Sequence, residues 1–406
     1  MVSQIKKALA LLDFSGEERD TNNMVLDLVE DICVREIDPY DAEMEEKGVS
    51  VEGEKVVLPP PMPKIRQKMA ENDLFGLFIP EEYEGMGLTY TLHTAVIERL
   101  AHSNAAVSLF LPVHGSAIDT ILRYGTEEAK DYYLPKLATG EYLGALTFTE
   151  SNTGSDLGSV SCPAPRKNDS WIINGTKIFV THAGVADVYV GLFSTDREKG
   201  SRGLSAFIID AHRPGLSFGR IEKKLGLHDS STGDLVFQDY EVPPENLLGV
   251  ENQGYRTTLD CLTGSRIGIA AQSVGIAMAA QLKALEYSKQ RKQFKRPISE
   301  FQAIQTKLAN MEMKIEAARA LYLGAAHHKS RGRPFSTEAS AAKLFASEIT
   351  QEVCADAIQI HGGYGFIEEY GVARHYRDAR VMTIYEGTSE IQRLIIAKNL
   401  LSGRKM

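Results

Sequence analysis

The hydrophobic period of this chain changes twice, and that double change limits the possible folds more than any other feature. Before about residue 140 the apolar positions fall in short helical segments. Between about 144 and 250 they form β-rich runs, and from about 252 they return to three-four spacing. Ile267, Ala270, Val274, Met278, Leu282 and Leu285 make a first long stripe, and Phe301, Ile304, Leu308, Met311, Ile315, Ala318, Tyr322 and Ala325 make a second. Ala342, Phe345, Ile349 and Val353 continue the habit. Stripes of this length joined by short connections imply antiparallel helices in a bundle. The spacing therefore predicts an α+β chain with a helical domain over 1–143, a compact β domain over 144–251 and a second helical domain over 252–406.

Turn chemistry refines the outline. The prolines of VLPPPMP at 57–63 cannot sit inside a helix and mark a break, and IPEEYEGMG at 79–87 reads as a second loop. AVSLFLPVHGSAIDTILR at 106–123 reads as a buried helix interrupted near Pro112 and Gly115. In WIINGTKIFV at 171–180 two short β runs flank Asn174-Gly175, a dipeptide suited to the positive φ of a tight hairpin. VYVGLFS and LSAFIID are expected strands, and LVFQDYEVP closes the region at Pro243-Pro244.

Composition narrows the classes of function. With 406 residues, 43% of them apolar, the chain can bury cores without disulfide or metal staples. Its 45 basic residues against 54 acidic ones give a net charge of -9, so the surface as a whole repels a nucleic-acid backbone and no nucleic-acid partner is expected. A small anionic ligand needs only a local patch. Cys33, Cys162, Cys261 and Cys354 lack CxxC spacing, which points to neither a zinc site nor a disulfide framework, and no metal is expected. The apolar stretch near the N-terminus is too short for a signal peptide, and no run of 18 apolar residues occurs, so membrane insertion is not expected. The expected location is cytoplasmic, or an organellar matrix where a targeting segment has been removed.

Three stretches carry candidate chemistry. TFTESNTGSD at 147–156 leaves an expected strand as a polar loop with Thr149, Glu150, Ser151, Thr153, flexible Gly154 and Ser155. Its hydroxyls and N–H groups suit a phosphate or a heteroaromatic ring as well as they suit a solvated turn. KIFVTHAGVAD at 177–187 ends a strand with Phe179 and Thr181; that ring is either core or a cofactor wall. In IYEGTSEIQR, Glu386 lies among apolar and small residues just ahead of a terminal amphipathic helix. Such a carboxylate is a helix cap, an exposed loop residue or a base, and a base working near neutrality needs partial burial, because desolvation raises a carboxyl pKa.

These motifs, with SRIGIAAQSVGIA, RKQFKRPISEFQAIQ and QIHGGYGF, occur in an order and spacing that resembles the acyl-CoA dehydrogenase family over nearly the whole chain. The resemblance implies an N-terminal helical domain, a middle β-barrel-like domain and a C-terminal four-helix bundle. It implies noncovalent FAD between the β domain and the bundle, and a homotetramer. Thr149 is expected to hydrogen-bond the flavin pyrimidine, Gly154 and Ser155 to lie at the cofactor with Ser155 also near the thioester, and Thr181 to approach flavin N5. Phe179 stands where many relatives carry Trp. Arg291 is expected on the FAD pyrophosphate and Phe294 beside the adenine, both supplied by a neighbouring subunit. Gln302 is expected on the adenosine part, Gln359, Gly362 and Gly363 complete the dinucleotide site, and Thr388 and Glu390 flank it. Arg266 resembles the arginine that holds CoA, although Thr263 replaces the aspartate that several relatives carry three residues earlier. Tyr385 and Gly387 join Arg266 and Ser155 at the substrate.

Glu386 matches the family's catalytic base. The α C–H beside a thioester is weakly acidic, so its removal needs a positioned base and a stabilised enolate oxygen. In the family a backbone N–H and a ribityl hydroxyl stabilise that oxygen, hydride passes from the β carbon to N5, and the trans-2-enoyl thioester results. Relatives that carry the base on the bundle helix place it where this chain has Ser265, which cannot serve. The implied function is an acyl-CoA dehydrogenase that passes electrons to electron-transferring flavoprotein. An acyl-CoA oxidase and a non-catalytic acyl-CoA-binding protein are the alternatives, the second disfavoured because a scaffold has no need of an enolising base. The pocket floor is expected from helices around 95–123, where Val107 falls near the arginine that glutaryl enzymes use for a distal carboxylate and Arg99 and His114 lie close by. The segment at 48–63 is expected at the substrate entrance.

Overall fold

Ser15 opens a capping box with Glu18, each side chain bonded to the other's backbone N–H, and this starts the long helix of an N-terminal helical region. The computed structural model describes residues 1–403, so the last three residues of the expected C-terminal domain lie outside it. The region comprises α1 (Val2–Leu9), α2 (Gly16–Ile32), α3 (Asp41–Lys47), α4 (Pro61–Ala70), α5 (Tyr90–Ser103), α6 (Ala105–Ser108), α7 (Pro112–Tyr124) and α8 (Glu127–Ala138). The proline run does break the chain, but by opening α4: Pro61 and Pro63 occupy the first turn, where no N–H is needed. The break near Pro112 falls just before it, and Gly115 sits inside α7, where a Cβ would come within 2.8 Å of His93 Nε2 on α5. Residues 48–57, the first part of the segment expected at the substrate entrance, carry a small hairpin of β1 (Ser50–Glu52) and β2 (Lys55–Val57), tied to the β domain by Val49 N–H donating to the His228 carbonyl at 2.9 Å.

The β domain holds β3 (Gly144–Thr147), β4 (Arg166–Lys167), β5 (Ser170–Thr181), β6 (Val188–Ser194), β7 (Leu204–Asp210), β8 (Leu216–Ile221), β9 (Thr232–Val242) and β10 (Leu247–Leu248). Two four-stranded sheets form, in the orders β10-β7-β6-β3 and β4-β5-β9-β8. Every residue of β6 and β7 is buried, and aromatic pairs knit the sheets, Trp171 to Phe207 at 5.0 Å and Phe193 to Phe237 at 5.3 Å. The expected hairpin at Asn174-Gly175 does not form. β5 runs straight through, because β9 pairs with both halves, and the Asn-Gly pair becomes a bulge between Ile173 and Gly175, held by reciprocal bonds between Asn174 and Asp239. A second irregularity, between Lys177 and Val180, gives Phe179 a φ of +57°.

The C-terminal helices are α9 (Gly254–Gln290), α10 (Gln302–Ser330), α11 (Ser336–His361), α12 (Val372–Ala379) and α13 (Ser389–Leu401), with a short hairpin of β11 (Lys292–Gln293) and β12 (Arg296–Pro297) between α9 and α10. α9, α10, α11 and α13 form the bundle, and α5 packs along α9. Residues 105–124 and α9 are long and apolar enough to cross a membrane, but the most apolar stretch of each is almost wholly buried by protein, as in a core helix. On α11 the stripe is not quite where the spacing puts it: Phe345 is 36% exposed, while Lys343 is fully buried.

One guanidinium joins the three regions. Arg374 on α12 lies 2.7 Å from Asp41 and 3.5 Å from Glu45 of the N-terminal helices, 3.4 Å from Asp229 of the β domain and 3.2 Å from Asp378 on its own helix. Asn104 donates to both Asp41 and Asp229, and Leu227 N–H donates to Asp378. Burial pushes the Asp378 carboxyl up to about 6 even with Arg374 beside it. A carboxyl raised in the folded state binds its proton more tightly there than in the unfolded chain, so its contribution favours the fold at acid pH and is lost as pH rises through about 6. We expect Arg374→Met to cost about 3–5 kcal/mol, the usual penalty for stranding buried charge. The fall in Tm should be larger at pH 7.5 than at pH 5, where Asp378 is already neutral; an equal fall at both would contradict this account.

Candidate active site

Glu386 sits in a turn that a glutamate does not adopt unaided. Its φ is +53° and that of Gly387 is +90°, two successive left-handed residues between a short 3₁₀ turn (Arg380–Thr383) and α13. Thr388, not Glu386, caps α13, accepting from Ile391 N–H at 3.4 Å. The turn is held from beneath. Lys343 Nζ donates to the Gly387 carbonyl at 2.7 Å, and Gln392 Nε2 donates to the same carbonyl at 2.8 Å. The Glu386 side chain points to α9, where Ser265 Oγ donates to Oε2 at 2.6 Å. The two positions at which the resemblance puts a base, 386 and 265, are thus neighbours in space.

Glu386 keeps some open surface, yet the protein packed around its carboxyl disfavours the charged form. Burial raises its pKa above the ordinary value against the lowering influence of Ser265, Lys343 and Arg266. Both cations are themselves weakened by burial, Arg266 to about 10 and Lys343 to about 8. Arg266 is only 4% exposed and its Nε has no hydrogen-bond partner, an arrangement that leaves a buried donor for an anionic or carbonyl group. Tyr385 donates to Gln272 and to Met382 Sδ, and Tyr90 donates to the Gly264 carbonyl at 3.1 Å. Behind Tyr90, Lys329 pairs with Asp119 at 2.9 Å and lies 3.7 Å from the Tyr90 ring centre.

The pocket-floor candidates resolve individually. Val107 is buried in α6. Arg99 is consumed by Glu30 and Ser103, and His114 accepts from Gly144 N–H while its other nitrogen faces the Leu137 carbonyl at 3.1 Å; both are structural. Burial holds His114 near 3, and therefore neutral.

On the β domain, Thr149 is half-buried and its carbonyl accepts from Ile178 N–H, while Gly154 and Ser155 are exposed at the loop tip. Glu150, which the sequence shows only as one more polar loop residue, anchors the loop: it accepts from Ser161, from Cys162 N–H and from the fully buried Lys177 at 2.7 Å. Burial works to raise the Glu150 pKa, but Lys177 and the N–H donors win and lower it. Thr181 ends β5 half-buried, and Phe179 is 60% exposed in its strained conformation. A large ring held out of the core at a cost in backbone strain fits a wall for a planar ligand better than it fits core packing.

A second group gathers elsewhere on the chain. Arg291, Gly362 and Gly363 line a concavity of about 420 Å³ with Tyr287, His361 and Tyr364. His361 stacks on Tyr287 at 4.3 Å, and the Arg291 guanidinium lies 5.4 Å from the Tyr364 ring centre. A Cβ on Gly362 or Gly363 would meet nothing within 4 Å, so both leave free space. Gln359 and Gln302 are exposed, and Phe294 is 88% exposed at the tip of the β11–β12 hairpin. Glu390 is exposed in the first turn of α13. The concavity shares no lining residue with the surroundings of Glu386. Of the expected flavin residues, Arg291, Gly362 and Gly363 line this concavity, and Thr149, Ser155, Phe179 and Thr181 do not.

Lys343 and Gln392 escaped the sequence reading. The signal available was a lysine directly beside the stripe residue Ala342 in an otherwise small and apolar helix segment.

With this geometry in view, comparison with known proteins is direct. The models described as acyl-CoA dehydrogenase N-terminal, middle and C-terminal domains match residues 19–141, 145–240 and 252–401. The chain is 46% identical to an acyl-CoA dehydrogenase of Bacillus subtilis over 338 residues, 83% of this chain and 89% of that one. It is 42% identical to the caffeyl-CoA reductase-Etf complex subunit CarC of Acetobacterium woodii, over 83% of this chain and 89% of that one. The structure of butyryl-CoA dehydrogenase from Megasphaera elsdenii superposes with a TM-score of 0.89 at 38% identity, covering 96% of this chain and 99% of that one. Three domain models in the right order, with a whole-chain structural match, make the chain a member of the acyl-CoA dehydrogenase family.

Proposed function

We propose that the protein binds FAD and dehydrogenates a short acyl-CoA thioester to its trans-2-enoyl product, with Glu386 as the base that takes the α proton. The observation that carries this reading is the Glu386 carboxylate itself: strained into position, bonded to Ser265 at 2.6 Å, and raised in pKa by burial. A scaffold has no use for such a group. Bound FAD supplies the acceptor for the β-carbon hydride. Thr149, Ser155, Phe179 and Thr181 would hold its ring system, with Thr388 and Glu390 nearby. Arg291, Phe294, Gln302, Gln359, Gly362 and Gly363 would hold its dinucleotide half. The cation, the aromatic floor and the unfilled space at the two glycines suit a pyrophosphate and an adenine. In this reading Arg291 and Phe294 reach the flavin of a neighbouring copy, in a homotetramer, as the family resemblance implies.

Arg266, Tyr385 and Gly387 face the thioester in this reading, and the unpaired Arg266 donor suits the CoA portion. A short acyl chain is supported by the likeness to the butyryl-CoA dehydrogenase of Megasphaera elsdenii. The Etf complex of the Acetobacterium woodii relative supports electron-transferring flavoprotein as the electron partner. That relative is named for the reductive direction, in which the same carboxyl, protonated, returns a proton to the α carbon.

Glu386→Gln keeps volume and a hydrogen-bonding oxygen but removes the base. We expect acyl-CoA still to bind and perturb the flavin spectrum while anaerobic reduction slows by about 10²–10⁴-fold. Rapid bleaching of that variant would show that another group takes the proton. In the parent enzyme the base works only when ionised, and its pKa is raised, so the reduction rate should climb with pH along a limb centred above the ordinary carboxylate range. A limb at the ordinary value, in stopped-flow traces, would contradict the burial argument.

Arg291→Ala should weaken FAD binding by about 1.5–3 kcal/mol through loss of a charge-assisted phosphate contact. Titration of the apoprotein measures it, and unchanged affinity would remove Arg291 from the cofactor site. Turnover with oxygen alone against turnover with a flavoprotein acceptor separates the dehydrogenase from an oxidase.

A further inference from the structure

Lys343 is a costly residue where it stands. It projects from the N-terminal third of α11 with no solvent exposure, between Ala342 and Leu344, and donates to the Gly387 carbonyl at 2.7 Å. Gln392, equally buried, donates to the same carbonyl at 2.8 Å and to that of Glu386 at 3.4 Å. A neutral donor therefore already holds the turn, and an ammonium adds something an amide cannot, which is charge.

We infer that Lys343 is a positioning residue for Glu386, fixing the left-handed turn through Gly387 and keeping the base ionised inside a desolvated site. The inference rests on the reading of Glu386 as the base. Around that carboxyl, α9 presents Ser265, Arg266 and Cys261, α5 presents Tyr90, α11 presents Lys343, and the adjoining residue is Tyr385. Glu390 and Glu348 act on Lys343 from farther out. Tyr90, Tyr385 and Cys261 are pushed up by burial and stay neutral, so the charge balance at the base is set by two cations, Arg266 and Lys343. Arg266 cannot lose its proton in the working range, whereas Lys343, pushed down to about 8, can. When the substrate C–H bond breaks, the proton forms an O–H bond on Glu386 and the electron pair stays on the thioester. Glu386 is then neutral, and the same ammonium beneath the turn, no longer balanced by it, adds its positive field to a site where the substrate has gained negative charge. One cation thus favours the ionised base before the transfer and the anionic substrate after it.

The test uses the FAD-loaded enzyme and four variants, Lys343→Met, Lys343→Gln, Gln392→Met and Glu386→Gln. Two readouts are taken against pH: the infrared carboxyl band of Glu386, identified by its absence in Glu386→Gln, and the rate of anaerobic flavin reduction by butyryl-CoA. Loss of the nearby positive charge should move the Glu386 midpoint upward by about one pH unit or more in both Lys343 variants. Lys343→Gln keeps a donor to Gly387, so its shift isolates the charge. Gln392→Met should slow reduction and leave the midpoint where it is. An unmoved midpoint in Lys343→Gln overturns the inference. So does loss of FAD from both Lys343 variants with normal retention in Gln392→Met, since that marks a purely structural prop. A Glu386→Gln enzyme that reduces at the parental rate shows instead that the base itself is misassigned, whereas an inactive one with unmoved Lys343 midpoints confines the failure to Lys343.

Discussion

The fold depends on Arg374. Its guanidinium stands among Asp41, Glu45, Asp229 and Asp378, which belong to three regions of the chain, and nearly all of this lies out of water. One charge cannot satisfy four carboxylates alone. Arg377 pairs with Glu45 at 2.8 Å, and Asn104 bridges Asp41 and Asp229. In a low-dielectric junction each partner is expensive to leave unpaired, so the three regions hold one another in a single arrangement. α12 carries Arg374 and leads directly into the segment bearing Glu386, so the junction that fixes the domains also fixes the approach to the Glu386 turn.

The same economy recurs at the two strained positions. Phe179 and Glu386 both adopt left-handed backbone conformations that non-glycine residues avoid, and each lies close to a turn anchored by a fully buried lysine. Lys177 donates to Glu150, to the Phe148 carbonyl at 3.4 Å and to the Leu192 carbonyl at 2.6 Å, tying the 149–155 loop to the sheet. Lys343 donates to Gly387 under the base. An ammonium with several donors and a flexible stem can gather carbonyls from segments distant in sequence, which suits it to pin irregular backbone where ladder hydrogen bonds are missing.

Much of this was legible in the sequence and some was not, for identifiable reasons. The switch from helix to strand to helix at about 144 and 252 is written in the apolar period, because one face of each element must be buried wherever the elements pack. Asn174-Gly175 misleads because a turn dipeptide specifies only local backbone freedom; whether that freedom makes a hairpin or a bulge depends on β9 continuing past it as a partner. The prolines at 59–61 and 63 mislead in a milder way, since they forbid a helix interior but welcome a helix start. Phe345 is more exposed than its stripe position implies and the unremarked Lys343 is buried, because the helix face is set by what packs against α11, and the Glu386 turn there offers a carbonyl that an apolar side chain could not meet.

The sequence by itself determined the class of the fold and the family, and it singled out one carboxylate as the candidate base, because apolar periodicity and an ordered set of motifs are one-dimensional properties. What only the tertiary structure decided is which groups act on that carboxylate. Ser265, 121 positions earlier in the chain, becomes its hydrogen-bond donor, and Lys343, 44 positions before Gly387, becomes the clamp beneath it. The tertiary structure likewise gathered Arg291, Gly362 and Gly363 around one concavity with Tyr287, His361 and Tyr364. Distances of a few ångströms decide charge interaction and hydrogen bonding, and no spacing along the chain encodes them until the helices have packed.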